Sequence, residues 1–166
     1  MKSKIVKVGY GKVKKVEIGF GKKLTFIGGP CAIESLDHSL YMAEKIKKIC
    51  EKLNVQFIFK SCFNKDSRSS VKSFNGIGID EGLEILQKVR NKLDVPVISD
   101  FSVPSWAQPT ADVCDIIQIP AYLCRQTSIL EAAAKTMRPI NIKKGQFMSP
   151  WNMKNSIRKI EFFGNK

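Results

Sequence analysis

The sequence has a single histidine, His38. A histidine-dependent catalytic triad or a histidine-rich metal centre has nowhere else to draw its imidazole. The five cysteines, Cys31, Cys50, Cys62, Cys114 and Cys124, are odd in number and form no CxxC, which argues against a disulfide framework and a structural zinc site. No GxGxxG follows a hydrophobic run, which weakens a dinucleotide-binding reading. No run approaches the ~20 apolar residues of a membrane-spanning helix, so no membrane association is expected. The basic N-terminus, MKSKIVKVGYGKVKK, lacks the apolar stretch of a secretory signal, and the expected location is cytoplasmic.

What is present is globular composition: 166 residues, 43% apolar and 26% charged, enough for one core. The net charge of +13 is unevenly placed. Residues 1–23 carry +7, residues 138–166 carry +6, and the stretch between them nets to zero. Two basic arms are a footprint of nucleic-acid binding. Yet 23 of the basic residues are Lys and only 5 are Arg, whereas base and phosphate recognition leans on Arg forks. Aromatics do not interleave with the lysines for stacking. Specific nucleic-acid binding is therefore not expected, and a basic nucleic-acid-binding module stays as an alternative reading.

The chain alternates short β-rich runs with longer helical patterns. Residues 4–8 and 13–18, separated by Gly9–Gly11, predict a small hairpin within an N-terminal segment 1–23. From residue 24 onward, apolar runs at 24–29, 55–63, 95–101, 115–121 and 139–147 predict five strands. The first of these reads as a strand buried on both faces. Helices follow each. One is capped by Ser35, with Leu36, Leu40, Ala43, Ile46, Cys50 and Leu53 on one stripe. Another is capped by Asp80, with Leu83, Leu86, Val89 and Leu93 inward. A short one lies near 104–111. A fourth runs from Thr127 or Ser128 through an inward Met137. The last opens at Ser149–Pro150. Five βα units in a row imply a parallel sheet covered by helices. A doubly wound sheet and a (β/α)₈ barrel both fit this order, and a barrel needs eight units.

In such folds the chemistry gathers at the C-terminal ends of the strands. Here those ends carry Cys31 and Glu34, then Lys60, Cys62 and Lys65 with Arg68, Ser69 and Ser70, then Asp100, then Gln118 and Arg125, then Asn141, Lys143 and Lys144. An ammonium inside a buried strand must be paired or face a ligand. Lys60 and Lys143, with Lys65, Arg68 and Arg125, would form a basic cup suited to a phosphorylated substrate. Each residue also has a plain reading. Lys60 can reach past the strand end to water, Lys143 and Lys144 can be a solvated turn, and Asp100 can cap a helix. Cys31 can be a small buried hydrophobe or a metal ligand.

The segments GGPCAIES (28–35), FKSCFNKDSRSS (59–70), DIIQIPAYLCRQT (115–127) and NIKKGQFMSP (141–150) resemble 3-deoxy-D-manno-octulosonate 8-phosphate synthase, also called 2-dehydro-3-deoxyphosphooctonate aldolase. The resemblance runs in order from residue 24 to the end. It implies a (β/α)₈ barrel behind an N-terminal hairpin, here as a partial barrel of about five βα units over 24–166, and a homo-oligomer, usually a tetramer. It implies condensation of phosphoenolpyruvate with arabinose 5-phosphate in lipopolysaccharide sugar biosynthesis. By motif, Lys60, Asp100 and Lys143 would serve the reaction centre. Lys65 and Gln118 would join Lys60 and Lys143 in holding phosphoenolpyruvate. Arg68 and Ser69 would hold the aldose phosphate, Ser67 stands where an Asn would contact the aldose, and Arg125 would help from a neighbouring subunit.

There are departures from the family pattern. Cys62 and Ser67 stand where a Ser and an Asn are usual, a histidine after Asp100 is replaced in Phe101–Pro104, and Gly145 replaces a Pro. Some members hold a divalent metal through a Cys equivalent to Cys31, with further ligands from later strands. The family continues through strands six to eight, whereas this sequence ends at Lys166. A C-terminally truncated chain with little or no activity of its own is therefore expected, a metal at Cys31 would need ligands from elsewhere, and a non-catalytic remnant or a phosphate-sensing subunit is the other reading.

Overall fold

A computed structural model describes residues 4–166; residues 1–3 of the expected hairpin segment lie outside the described residues. Strands β1 (Val6–Val8) and β2 (Val16–Ile18) pair antiparallel as the expected hairpin. Beyond them the chain alternates β3 (Thr25–Gly28), α1 (Leu36–Lys52), β4 (Gln56–Lys60), α2 (Ile79–Leu93), β5 (Val97–Asp100), α3 (Ala107–Val113), β6 (Ile116–Ile119), α4 (Thr127–Lys135), β7 (Ile140–Ile142) and α5 (Met153–Phe162). The sheet is parallel in the order β3-β4-β5-β6-β7. A doubly wound sheet reverses its strand order at a switch point. Here each new strand joins the same edge, so the architecture is a partial (β/α)₈ barrel.

The period-two alternation of the strands sorts their side chains to two faces. Phe57, Phe59, Val97, Ile117 and Ile119 turn outward into one core with Ala43, Leu86, Val89, Ala111, Leu130, Ala133 and Ile160 of the five helices. Ile58, Ile98 and Ile116 turn inward, where Val8 and Val16 of the hairpin cover them. The hairpin thus closes the N-terminal end of the barrel interior. The next inward residues along the same three strands are Lys60, Asp100 and Gln118, so the open end is polar.

Several element boundaries differ from the sequence reading. The run 24–29 is not buried on both faces: Leu24 is 74% and Phe26 47% exposed, because β3 pairs only with β4 among the described residues. Gly78, at a φ of 89°, precedes α2, and Asp80 sits inside the first turn, where its charge favours the helix dipole without capping. Leu53 lies past the end of α1 and is exposed. Helix α4 stops at Lys135, and Met137 takes a left-handed φ of 58° that points it to solvent. Strand β7 is only three residues long, so Lys143 follows the strand and is exposed. A 3₁₀ turn over Pro104–Trp106 leads into α3, and another over Pro150–Asn152, capped by Ser149, leads into α5.

One buried ion pair ties the layers together. Arg90 of α2 grips Asp115 with Nε–Oδ2 and Nη2–Oδ1 distances of 2.9 Å. Asp115 also accepts from Val97 N at 3.0 Å and Tyr10 N at 3.1 Å. The guanidinium groups of Arg90 and Arg138 lie over the Tyr10 ring, 4.0 and 3.5 Å from its centroid. Burial pushes the Tyr10 phenol up, although both neighbouring cations pull the other way. Asp115→Ala leaves the buried Arg90 charge unpaired. It is expected to lower stability by about 3–5 kcal/mol, read from urea unfolding as a lower midpoint at unchanged slope. A loss below about 1 kcal/mol would show the pair to be dispensable.

Candidate functional site

The site begins where β3 and β4 end. Gly29, at a φ of 155°, lies so close to β4 that a Cβ there would run into the Lys60 carbonyl oxygen. This approach lets the strand ends converge, and an isolated parallel bridge between Ala32 and Cys62 extends the pairing beyond the ladder. After Phe63 the chain enters a loop held by Lys65 N to Asn75 O at 2.6 Å. Gly76, at a φ of 122°, would likewise drive a Cβ into the Phe63 carbonyl. Phe63 is fully buried against Trp106, with ring centroids 5.8 Å apart, which fixes where Lys65 emerges.

Four adjacent strands then place one polar chain across the open end. Lys60 Nζ and Lys65 Nζ donate to Cys62 Sγ at 3.3 and 3.0 Å. Cys62 Sγ donates to Asp100 Oδ2 at 3.3 Å. The two ammonium groups lie 3.9 and 3.6 Å from the same carboxylate oxygen. Gln118 Nε2 donates to the other oxygen, Asp100 Oδ1. Asn141 Nδ2 donates to Gln118 Oε1 at 2.6 Å. The register explains the order, since Asp100 pairs with Gln118 and Gln118 with Asn141. Asp100 and Gln118 are buried, and Asp100 caps no helix.

A cavity opens above this chain, lined by Lys65, Ser67, Asp100, Ser102, Tyr122 and Lys143, among others. Ser102 Oγ donates to Asp66 Oδ2 and pins the loop over β5. Burial works against the charged form of Lys65, but Cys62 and then Asp100 outweigh it and hold its pKa above the ordinary lysine value. Burial, reinforced by Asp66 and Asp100, raises the Tyr122 phenol. Lys144 takes no part, since its Nζ braces the turn by donating to Gly145 O and Met148 O at 2.9 and 3.1 Å. A cavity of about 390 Å³ lies at the opposite end, lined by Lys14, Lys23, Lys47 and Asp94, among others. Two of its cations are spent on fixed acceptors, Lys47 on Leu93 O at 2.7 Å and Lys23 on Asn54 Oδ1 at 2.6 Å.

Of the residues singled out in the sequence, Lys60, Lys65, Asp100 and Gln118 meet in one network, and Ser67 and Lys143 line its cavity. Arg68 and Ser69 lie in the exposed loop, where Arg68 Nε donates to Phe74 O at 3.2 Å. Arg125 stands apart, beside a second cavity with Phe147, Asn155 and Lys159. Cys31 is exposed, unlike the other four cysteines. Among the described residues it belongs to no group of three His, Cys, Asp or Glu side chains placed to hold a metal, so these residues do not by themselves build a metal centre. The sequence reading did not assign Cys62 or Asn141 a role. Alternation was the available signal, since Cys62 lies two residues beyond Lys60 and Asn141 two residues before Lys143.

A family model described as the DAHP synthetase I family matches residues 5–166. The chain is 50% identical over 155 residues to a 2-dehydro-3-deoxyphosphooctonate aldolase of Rickettsia prowazekii, covering 93% of this chain and 56% of that protein. It is 52% identical over 146 residues to a protein of the same name from Synechococcus, covering 88% of this chain and 51% of that one. The chain therefore spans about half the length of the curated relatives it matches. No helix among the described residues is long and apolar enough to cross a membrane.

A raised lysine pKa contributes stability that is complete below the unfolded value and is lost as pH climbs through the folded one. Lys65 should therefore stay charged across neutral pH and titrate above the ordinary ~10.4. An NMR titration of its Cε resonance checks this. A midpoint below that value would mean that burial outweighs Cys62 and Asp100.

Proposed function

Because the chain belongs to the DAHP synthetase I family, we propose that its polar rim binds phosphoenolpyruvate and serves the condensation with arabinose 5-phosphate that gives 3-deoxy-D-manno-octulosonate 8-phosphate and phosphate. The observation that carries the reading is the convergence of Lys60, Lys65, Asp100 and Gln118 from neighbouring strand ends into one network under a cavity that Lys143 lines. In this reading Lys60, Lys65, Gln118 and Lys143 hold the phosphate and carboxylate of phosphoenolpyruvate. Arg68 and Ser69, on the exposed loop, take the aldose phosphate, and Ser67 beside them contacts the aldose. Arg125 reaches the site of a neighbouring subunit in a homo-oligomer. The setting is cytoplasmic and the product feeds lipopolysaccharide sugar synthesis.

The chemistry asks for these side chains. C3 of the enol forms a bond to the aldehyde carbon of the sugar as its C=O π bond opens to an alkoxide, and positive character develops at C2. Water adds at C2 and its proton passes to that alkoxide, and the resulting tetrahedral centre collapses to the ketone with cleavage of the C2–O bond, the C2 hydroxyl proton leaving with phosphate. Ammonium groups fixed at the rim offset the charge of two anionic substrates that would otherwise repel, and they stabilise the oxygen anions as the bonds change. The Asp100 carboxylate, at the centre of the network, is placed to favour cationic character at C2.

Titration calorimetry with each ligand separately tests the assignment. Lys60→Ala and Lys143→Ala are each expected to weaken phosphoenolpyruvate by about 1.5–3 kcal/mol, the range of a charge-assisted hydrogen bond. Arg68→Ala should spare phosphoenolpyruvate and weaken arabinose 5-phosphate. Absence of heat with both ligands, in a sample whose circular dichroism shows it folded, would sink the assignment.

A further inference from the structure

The two lysines at the rim face an evident danger. Asp100 lies close enough to capture both, and an ammonium closed on a carboxylate has spent much of the charge it would offer an anionic substrate. A charge-assisted N–H···O bond normally closes to ~2.7–2.9 Å. Lys60 and Lys65 stop at 3.9 and 3.6 Å from Asp100 Oδ2. What holds them off is Cys62. Its Sγ sits at the vertex of the three groups, accepting from both ammonium groups at 3.3 and 3.0 Å and donating to Asp100 at 3.3 Å. Sulfur is larger than oxygen and a weak acceptor, so it keeps the cations at a distance without neutralising them.

A buried free thiol is usually a small hydrophobe, and Cys50, Cys114 and Cys124 fit that description. Cys50 and Cys114 belong to the apolar core. Cys62 belongs to neither hydrophobic cluster, and its neighbours are two cations and an anion. Nor is it free to swing away, because the bridge between Ala32 and Cys62 and the bond from Ile33 N to Cys62 O at 3.0 Å fix its backbone between two strand ends.

We propose that Cys62 is a positioning residue, a spacer that holds Lys60 and Lys65 off Asp100 and so keeps both ammonium groups available to the anionic substrate. The proposal rests on the phosphoenolpyruvate reading of this rim. Without the sulfur, each ammonium can move about 1 Å toward the carboxylate to reach ordinary ion-pair distance, a displacement of the size that disables a positioned group. A hydroxyl in its place still bridges the same three partners, at shorter distances.

The test compares phosphoenolpyruvate affinity by calorimetry in the wild type, Cys62→Ser, Cys62→Ala, Asp100→Asn and the Cys62→Ala/Asp100→Asn double variant. Thermal melting of each is recorded alongside. Cys62→Ala is expected to bind about tenfold more weakly and Cys62→Ser within about threefold of the wild type, as loss and retention of a charge-assisted contact predict. The penalty of Cys62→Ala should shrink to within about twofold when Asp100 is already Asn, because the lysines then have no carboxylate to close on. Undiminished affinity in Cys62→Ala, or a penalty that persists at full size in the Asp100→Asn background, overturns the spacer role. A second measurement does not depend on any ligand. The drop in the Lys65 NMR titration midpoint caused by Asp100→Asn should be larger in the Cys62→Ala background than in the wild type, because the ammonium then meets Asp100 directly, and an equal drop overturns the proposal. Should the wild type bind no phosphoenolpyruvate, the reading of the rim fails, and the Lys65 midpoint still decides whether Cys62 is a spacer.

Discussion

The carboxylate of Asp115 accepts four hydrogen bonds, two from Arg90, one from Val97 N and one from Tyr10 N. Those donors come from α2, from β5 and from the loop of the N-terminal hairpin. Two full charges taken out of water are costly unless every lone pair and donor is met, and here the geometry is bidentate with further partners on both sides. The pair therefore acts as a joint that accepts only one relative placement of helix, sheet and hairpin. With the hairpin seated, Val8 and Val16 cover Ile58, Ile98 and Ile116, and the N-terminal end of the barrel interior is dry.

Closing one end leaves the other to chemistry. Strands β4, β5 and β6 each send to the inner face an isoleucine below and a polar residue above: Ile58 and Lys60, Ile98 and Asp100, Ile116 and Gln118. The two-residue period makes this division automatic. A slip of one residue in any strand would turn its polar group into the helical core and a core residue into the site. The helical layer, with Phe57, Phe59, Val97, Ile117 and Ile119 packed on α1 to α5, thus guards the register of the site as well as the stability of the fold.

At the open end the balance is electrostatic. Two buried or half-buried lysines gather around one buried aspartate, with Lys143 at the edge. A single carboxylate is enough to keep two cations in a desolvated place when no substrate is present, and too little to neutralise both. Lys65 shows the outcome, since its partners outweigh its burial and hold its pKa up. Under the proposed function, such a rim is prepared for an anion before the anion arrives, which is the condition under which fixed charges act on a reaction without reorganising first.

The βα alternation, the hairpin, the apolar faces of the helices and the polar strand ends were legible in the residues, because each is a local pattern with a local physical cause. The motifs around Lys60, Gln118 and Lys143 pointed to the family, and Lys60, Lys65, Asp100 and Gln118 do meet. Local patterns could not say that 24–29 would be half exposed, since that depends on β3 having only β4 beside it among the described residues. Nor could they end α4 before Met137, or stop β7 before Lys143, because chain reversals are decided by what the turn packs against. Arg90 and Asp115 drew no notice in the sequence; they meet only when α2 lies against the start of β6. Cys62 was visible as a departure from a serine, but its position among Lys60, Lys65 and Asp100 is a property of three strand ends converging. Sequence determined which residues could face inward, through the period of the strand; tertiary structure decided which of those residues touch, because hydrogen bonds and ion pairs between strands depend on register and curvature that no single segment contains.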